Sequence, residues 1–194
     1  MVFQIPQLID VISLCWVIFI SYWIVSAFFV KKTVERQGFF WRGIFIVILI
    51  LFFLIIRLMP SNYLKLLLIT IVPNTVISLI IGSIITVFGL CITIWARATL
   101  GSNWSGAVTF KKNHELITRG PYKFVRHPIY TGLMTMLIGT FIVYGFAYVL
   151  LAIIIFFLGL IGKLMQEEKL MIKHFGKKYI DYKNKTKALI PFIL

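Results

Sequence analysis

The chain has 194 residues, of which 60% are hydrophobic, 16% aromatic and only 13% charged. That leaves too little polar surface to coat a water-soluble globule of this length, so the composition excludes an ordinary soluble domain and points to an integral membrane protein. Its 20 Lys and Arg against 6 Asp and Glu give a formal charge of +14, which in a membrane chain anchors loops to an anionic leaflet rather than marking a nucleic-acid partner.

A bilayer's hydrocarbon core takes about 20 apolar residues of helix. Residues 8–30 form the first expected span; they lack a basic segment ahead and a small-residue cleavage site, so no signal peptide is expected. Residues 43–59 form the second, with Arg57 near one end where it can snorkel. Residues 60–75 hold turn formers around a piece too short to cross, and 76–95 form the third span. The apolar run 129–165 is too long for one crossing, and is expected to fold back at "YGFAY" into two helices, 129–144 and 146–165. The expected fold is an all-α integral membrane protein with about five transmembrane helices, including a C-terminal helical hairpin, and a small cytoplasmic region. An N-terminal membrane region, 1–75, precedes a core, 76–194.

All Lys and Arg except Arg57 and Lys65 lie in the loop between the first two spans, in 96–128, or from Lys163 onward. The positive-inside rule therefore puts the N-terminus outside and the C-terminus in the cytoplasm, gathering every candidate for chemistry on one face. The two cytoplasmic segments, 96–128 and 166–194, are each too short to bury a core alone and must pack on each other and on the helix ends. "VTF" followed by "KKNHELI" reads as a short extended pair about a turn, and "RGPY" as a second turn. Pro128 suits the first turn of the fourth helix, whose unpaired N–H groups beside Arg126 and His127 offer a seat for an anion. Cys15 and Cys91 both lie in apolar runs, so neither a disulfide framework nor a cysteine zinc site is expected.

Three motifs in order, "LGSNWS", "HELITRGPYKFVRHPIYTG" and "EEKLMIKHFGKKYIDYKNKT" with "LIPF" at the end, resemble the isoprenylcysteine carboxyl methyltransferase family, within a wider group that includes phospholipid methyltransferases. The resemblance implies S-adenosylmethionine as cofactor, held by His114, Glu115, Leu116, Ile117, Tyr122, His127, Pro128, Ile129, Tyr130 and Glu167. It implies a substrate contact four residues before Glu167, where the family has Arg and this chain has Lys163. A point charge there keeps the attraction for an anion but loses the fork that grips a carboxylate. Arg97 is read as a helix-end anchor that can also turn toward the acceptor. Methyl transfer of this kind needs no metal, and the expected partners are a lipophilic or lipidated substrate and the membrane lipids themselves. Composition favours a prokaryotic plasma membrane. A phospholipid amine or small thiol as acceptor, an NADPH-dependent membrane reductase and a non-enzymatic membrane adaptor stand as alternatives.

Overall fold

The computed structural model describes residues 6–36, 43, 47, 48, 50, 51, 54, 55, 57–60, 63, 65, 67–104, 109–111 and 115–190. In chain order these form helix α1 (Pro6–Ala27), strand β1 (Thr33–Arg36), helix α2 (Val76–Leu100), a 3-10 turn (Gly101–Asn103), strand β2 (Thr109–Lys111), a second 3-10 turn (Gly120–Lys123), and helices α3 (Pro128–Tyr144), α4 (Ala147–Phe175) and α5 (Lys177–Lys185). Of the expected second span, 43–59, residues 44–46, 49, 52, 53 and 56 lie outside the described residues; the described ones are helical up to Leu58.

The segment Val76–Asn103 and the helix Ala147–Phe175 are each long and apolar enough to cross a bilayer, while Val11–Ala27 and Pro128–Tyr144 are shorter apolar helices. Their outer faces carry large bare side chains such as Ile84, Phe88 and Leu158, a surface that lipid tails solvate and water does not. The fold is that of a helical integral membrane protein. Among the described residues, an all-helical chain is departed from in a small two-stranded ribbon. Thr109–Lys111 is extended as expected, and it pairs antiparallel with Thr33–Arg36, through an irregularity between Thr33 and Glu35.

Local chemistry sets the helix ends. Thr75 caps α2 in a reciprocal box: its hydroxyl accepts from the Ser78 amide at 3.1 Å, and the Thr75 amide donates to the Ser78 hydroxyl at 2.9 Å. Pro128 occupies the first turn of α3, where its missing N–H costs nothing. The α3–α4 hairpin turns at Gly145, whose φ of 71° is one that residues with a Cβ avoid. A Cβ there would also strike the Val72 carbonyl, because the preceding loop is stapled to the turn: the Ile71 amide donates to the Gly145 carbonyl at 2.7 Å and the Ala147 amide to that of Ile69 at 2.9 Å.

The tightest packing is between α2 and α3, which run antiparallel with glycines meeting at seven-residue spacing: Gly89 against Gly132 and Gly82 against Gly139. A Cβ on Gly89 would lie 2.6 Å from the Gly132 carbonyl oxygen. Thr86 and Thr93, fully buried in the same seam, turn their hydroxyls back on the carbonyls of Gly82 and Gly89. Small residues that let backbones touch are how helices associate in lipid, where apolar burial between helices gains little. Helix α1 lies over this pair through Ile12, Leu79 and Val143, and through Cys15, Leu90 and Met136. Trp16 donates to the Thr140 hydroxyl at 3.1 Å. Helix α4 joins more loosely, with Leu160 and Leu164 against Tyr130 and Met134. It runs ten residues beyond the expected end at 165, carrying Glu167 and Glu168 out of the apolar run on the same helix.

Candidate active site

The "RGPYKFVRHPIYTG" stretch folds as the turn Gly120–Lys123, a short extended piece and the start of α3. Pro121 sets the turn and buries Tyr122, while the chain from Val125 onward is covered by the C-terminal strand of residues. The Arg126 amide donates to the Lys187 carbonyl at 2.8 Å, the His127 amide to Ala188 at 3.0 Å, and the Thr131 hydroxyl to Leu189 at 2.7 Å. Of the amides at the start of α3, where an anion seat is expected, those of Tyr130 and Thr131 donate to the His127 carbonyl at 3.0 and 3.1 Å, which corrects that expectation for these two groups.

Helix α4 brings two acids to this place. Tyr130 donates its hydroxyl to Glu167 Oε1 at 2.7 Å; Lys163 Nζ lies 3.8 Å from the same oxygen and 5.0 Å from the centre of the Tyr130 ring. The buried His127 ring stacks on Tyr130 and stands between both carboxylates, Nδ1 3.6 Å from Glu167 Oε2 and Nε2 3.6 Å from Glu168 Oε1. Those separations are electrostatic contacts rather than hydrogen bonds, and His127 Nε2 is one of the few buried polar atoms without a hydrogen-bond partner among the described residues.

Glu168 was not among the site residues expected from the sequence, although two adjacent acids out of six in the chain were a signal. It receives Arg126 Nε at 2.7 Å and Lys183 Nζ at 2.6 Å, and Arg126 also donates to the carbonyls of Lys183 and Thr186. Glu168 stands past the apolar part of α4. Burial pushes its carboxyl up, but His127, Lys183 and Arg126 together outweigh that and hold it well below the usual carboxylate range. Tyr182 of α5 donates to the Tyr122 carbonyl at 2.6 Å, so the turn, α4 and α5 form one connected polar network. Burial raises the Tyr122 hydroxyl; the potentials of Tyr182 and Glu167 add to the rise and Arg97 opposes it.

The expected site residues thus divide. Tyr122, His127, Ile129, Tyr130, Lys163 and Glu167 come together, with Ile117 and Ala96 packed against Tyr122 and Ile129, and Pro128 buried behind them. Glu115 is turned to Lys31 at 3.8 Å and is largely exposed, Leu116 is half-buried, and His114 lies outside the described residues. Arg97 is buried beside this cluster. It donates to the Gly101 carbonyl at 2.7 Å and to that of Ser26 at 2.6 Å, with its guanidinium 4.5 Å from the centre of the Trp104 ring. It clasps the C-terminal ends of α2 and α1, whose partial negative charges offset its own; its Nε has no hydrogen-bond partner among the described residues.

The segment that carries this cluster is similar to known proteins. Residues 80–173 match the model of the isoprenylcysteine carboxyl methyltransferase (ICMT) family. The chain is 35% identical to a protein-S-isoprenylcysteine O-methyltransferase of Mus musculus, over 58% of this chain and 41% of that one. It is 32% identical to that of Saccharomyces cerevisiae, over 59% and 49%. A solved structure of the eukaryotic intramembrane Ras methyltransferase ICMT superposes with a TM-score of 0.52 at 30% identity, covering 78% of this chain and 52% of that one. The chain thus spans less than half the length of these two curated relatives. The matched segment holds His127, Tyr130, Lys163, Glu167 and Glu168, whereas Lys183 and residues 187–189, which complete the network, come from beyond it.

Proposed function

We propose that this protein is an S-adenosylmethionine-dependent methyltransferase of the ICMT type, which methylates a lipophilic carboxylate at the cytoplasmic face of the membrane. The observation that carries the reading is the Tyr130–Glu167–Lys163 group beside His127, at the junction of the apolar helices with a basic polar cap. The residues fit the cofactor: Glu167 offers carboxylate oxygens to an amino group or ribose hydroxyls, and His127 Nε2 is a buried polar atom with no hydrogen-bond partner among the described residues. His114, Glu115, Leu116, Ile117, Tyr122, Pro128, Ile129 and Tyr130 would complete the holding set. When bound, S-adenosylmethionine supplies a methyl group on a sulfonium. The chain's part is to hold both partners in line and to keep water from the reacting charges. No general base is needed for a carboxylate, which is ionised at neutral pH. Lys163 would draw it in as a point charge, with Arg97 Nε a second candidate contact.

The proposal places the protein in a prokaryotic plasma membrane with about five spans, N-terminus out and C-terminus in the cytoplasm, as a membrane region 1–75 followed by a catalytic core 76–194. Lys31, Arg97, Arg126, Lys163 and Lys183 all belong to the site end of the molecule, which agrees with a cytoplasmic site. One observation supports a second acceptor class: Lys163 replaces the forked Arg that the family resemblance puts there, so an amine or thiol acceptor stands as the alternative. Isothermal titration with S-adenosylhomocysteine and with NADPH, followed by methyl transfer from labelled cofactor to a prenylcysteine analogue, a lipophilic amine and a lipophilic thiol, tests the reading. Binding of NADPH alone would replace it with a reductase, and binding of neither with an adaptor.

A further inference from the structure

One exposed stripe of α4 changes character along its length. Leu151, Ile154, Leu158, Ile161 and Met165 are exposed at three- and four-residue spacing, hence on one face of the helix. The same face continues at Lys169 and Lys173, both exposed, about 6 Å and 12 Å beyond Met165 along the axis. After Gly176, where the chain turns with a φ of 52°, α5 opens on exposed Lys177 and Lys178. The hydrogen bond from Tyr182 to the Tyr122 carbonyl draws α5 against the Gly120–Lys123 turn. Exposed Lys123 and Phe124 lie in or next to that turn, and Ile180 of α5 is also exposed. Asp181 is the one acid between 169 and 187; Lys183 is already held by Glu168.

We propose that Lys169, Lys173, Lys177 and Lys178 form a docking face for anionic phospholipid headgroups of the leaflet whose acyl chains cover Leu158, Ile161 and Met165. Continuity decides the occupant: the lysines extend a face that lipid tails already solvate, so headgroups of those lipids lie at their level. Exposed Ile180, on the same short helix as Lys177 and Lys178, suits the headgroup–acyl boundary and not a water-borne acidic partner. The face is independent of the reaction proposed above, since none of the four lysines contacts Glu167, His127 or Tyr130 in the network described.

The test uses the full chain in detergent, equilibrated with equal amounts of phosphatidylglycerol and phosphatidylcholine of matched chains, with the co-purifying lipid counted by native mass spectrometry. Attraction of this kind is worth about fivefold per basic residue. The wild type should retain phosphatidylglycerol at least tenfold over phosphatidylcholine. The variant with Lys169→Gln, Lys173→Gln, Lys177→Gln and Lys178→Gln should lose most of that preference, and the same four changed to Arg should keep it. Helicity by circular dichroism reports folding; if the fourfold variant does not fold, Lys169→Gln/Lys173→Gln and Lys177→Gln/Lys178→Gln carry the test separately. Equal retention of both lipids by the wild type, or an unchanged preference in the glutamine variants, overturns the proposal. So does capture of a poly-glutamate peptide that these variants abolish while lipid preference stays.

Discussion

Tyr130 on α3 donates its hydroxyl to Glu167 Oε1 on α4 at 2.7 Å, joining residues 37 positions apart across the two arms of the hairpin. The bond fixes one oxygen of Glu167 and leaves Oε2 facing His127 at 3.6 Å. Glu167→Gln should weaken S-adenosylhomocysteine binding by an order of magnitude or more, the loss of a charge-assisted hydrogen bond worth roughly 1.5–3 kcal/mol. Tyr130→Phe should weaken it less, since the carboxylate remains and only its orientation is lost. Titration calorimetry of both variants checks this, and equal affinity of Glu167→Gln and wild type would return Glu167 to a purely structural role.

Lys163 approaches the same oxygen and the same ring. With a carboxylate acceptor, Lys163→Arg should keep or raise turnover by restoring a fork, and Lys163→Met should lower it with little change in cofactor affinity. An acceptor amine or thiol would show itself differently, by a rate that climbs with pH until the acceptor is deprotonated, whereas a carboxylate gives a flat profile above about pH 6. A rate indifferent to Lys163→Met with every acceptor leaves the lysine as a helix-end anchor.

Glu168 holds Arg126 and Lys183, and through them the C-terminal strand and α5. Glu168→Gln should cost about 2 kcal/mol, the value of a hydrogen bond to a charged group. Because the folded-state carboxyl is held below its ordinary range, its stabilisation is complete above the unfolded value near pH 4.3 and is lost as the pH falls further. The gap in thermal midpoint between wild type and Glu168→Gln should therefore be constant from pH 8 to about 5 and narrow below about 4. A gap that closes near neutrality would contradict the assignment.

The α2–α3 seam tolerates no added volume. Gly89→Ala and Gly139→Ala should each destabilise by about 1–3 kcal/mol or more, because a Cβ at either position meets backbone of the facing helix at less than 3 Å. Gly162→Ala, where a Cβ would meet nothing within 4 Å, is the control and should be neutral or slightly stabilising. Thermal unfolding in one detergent compares the three.

N-terminal and C-terminal reporter fusions decide the topology: the N-terminal one should report the outside and the C-terminal one the cytoplasm. A cytoplasmic N-terminus would break the five-span arrangement.

By itself the sequence determined the membrane class, the starts of α2 and α3, the hairpin turn near "YGFAY" and the segment that carries the site, since hydropathy, proline placement and charge distribution act locally and can be read locally. Only the tertiary structure decided which partners meet. Thr109–Lys111 finds Thr33–Arg36, 73 or more positions away, and the Arg126 and His127 amides are taken by the carbonyls of residues 187 and 188. Glu168 becomes the anchor of the C-terminal network while Glu115, in a matching motif, turns to Lys31. Such choices depend on the rotation and register of whole helices, which glycine contacts between α2 and α3 fix to within a fraction of an ångström; no local pattern of charge or hydropathy encodes the facing surface.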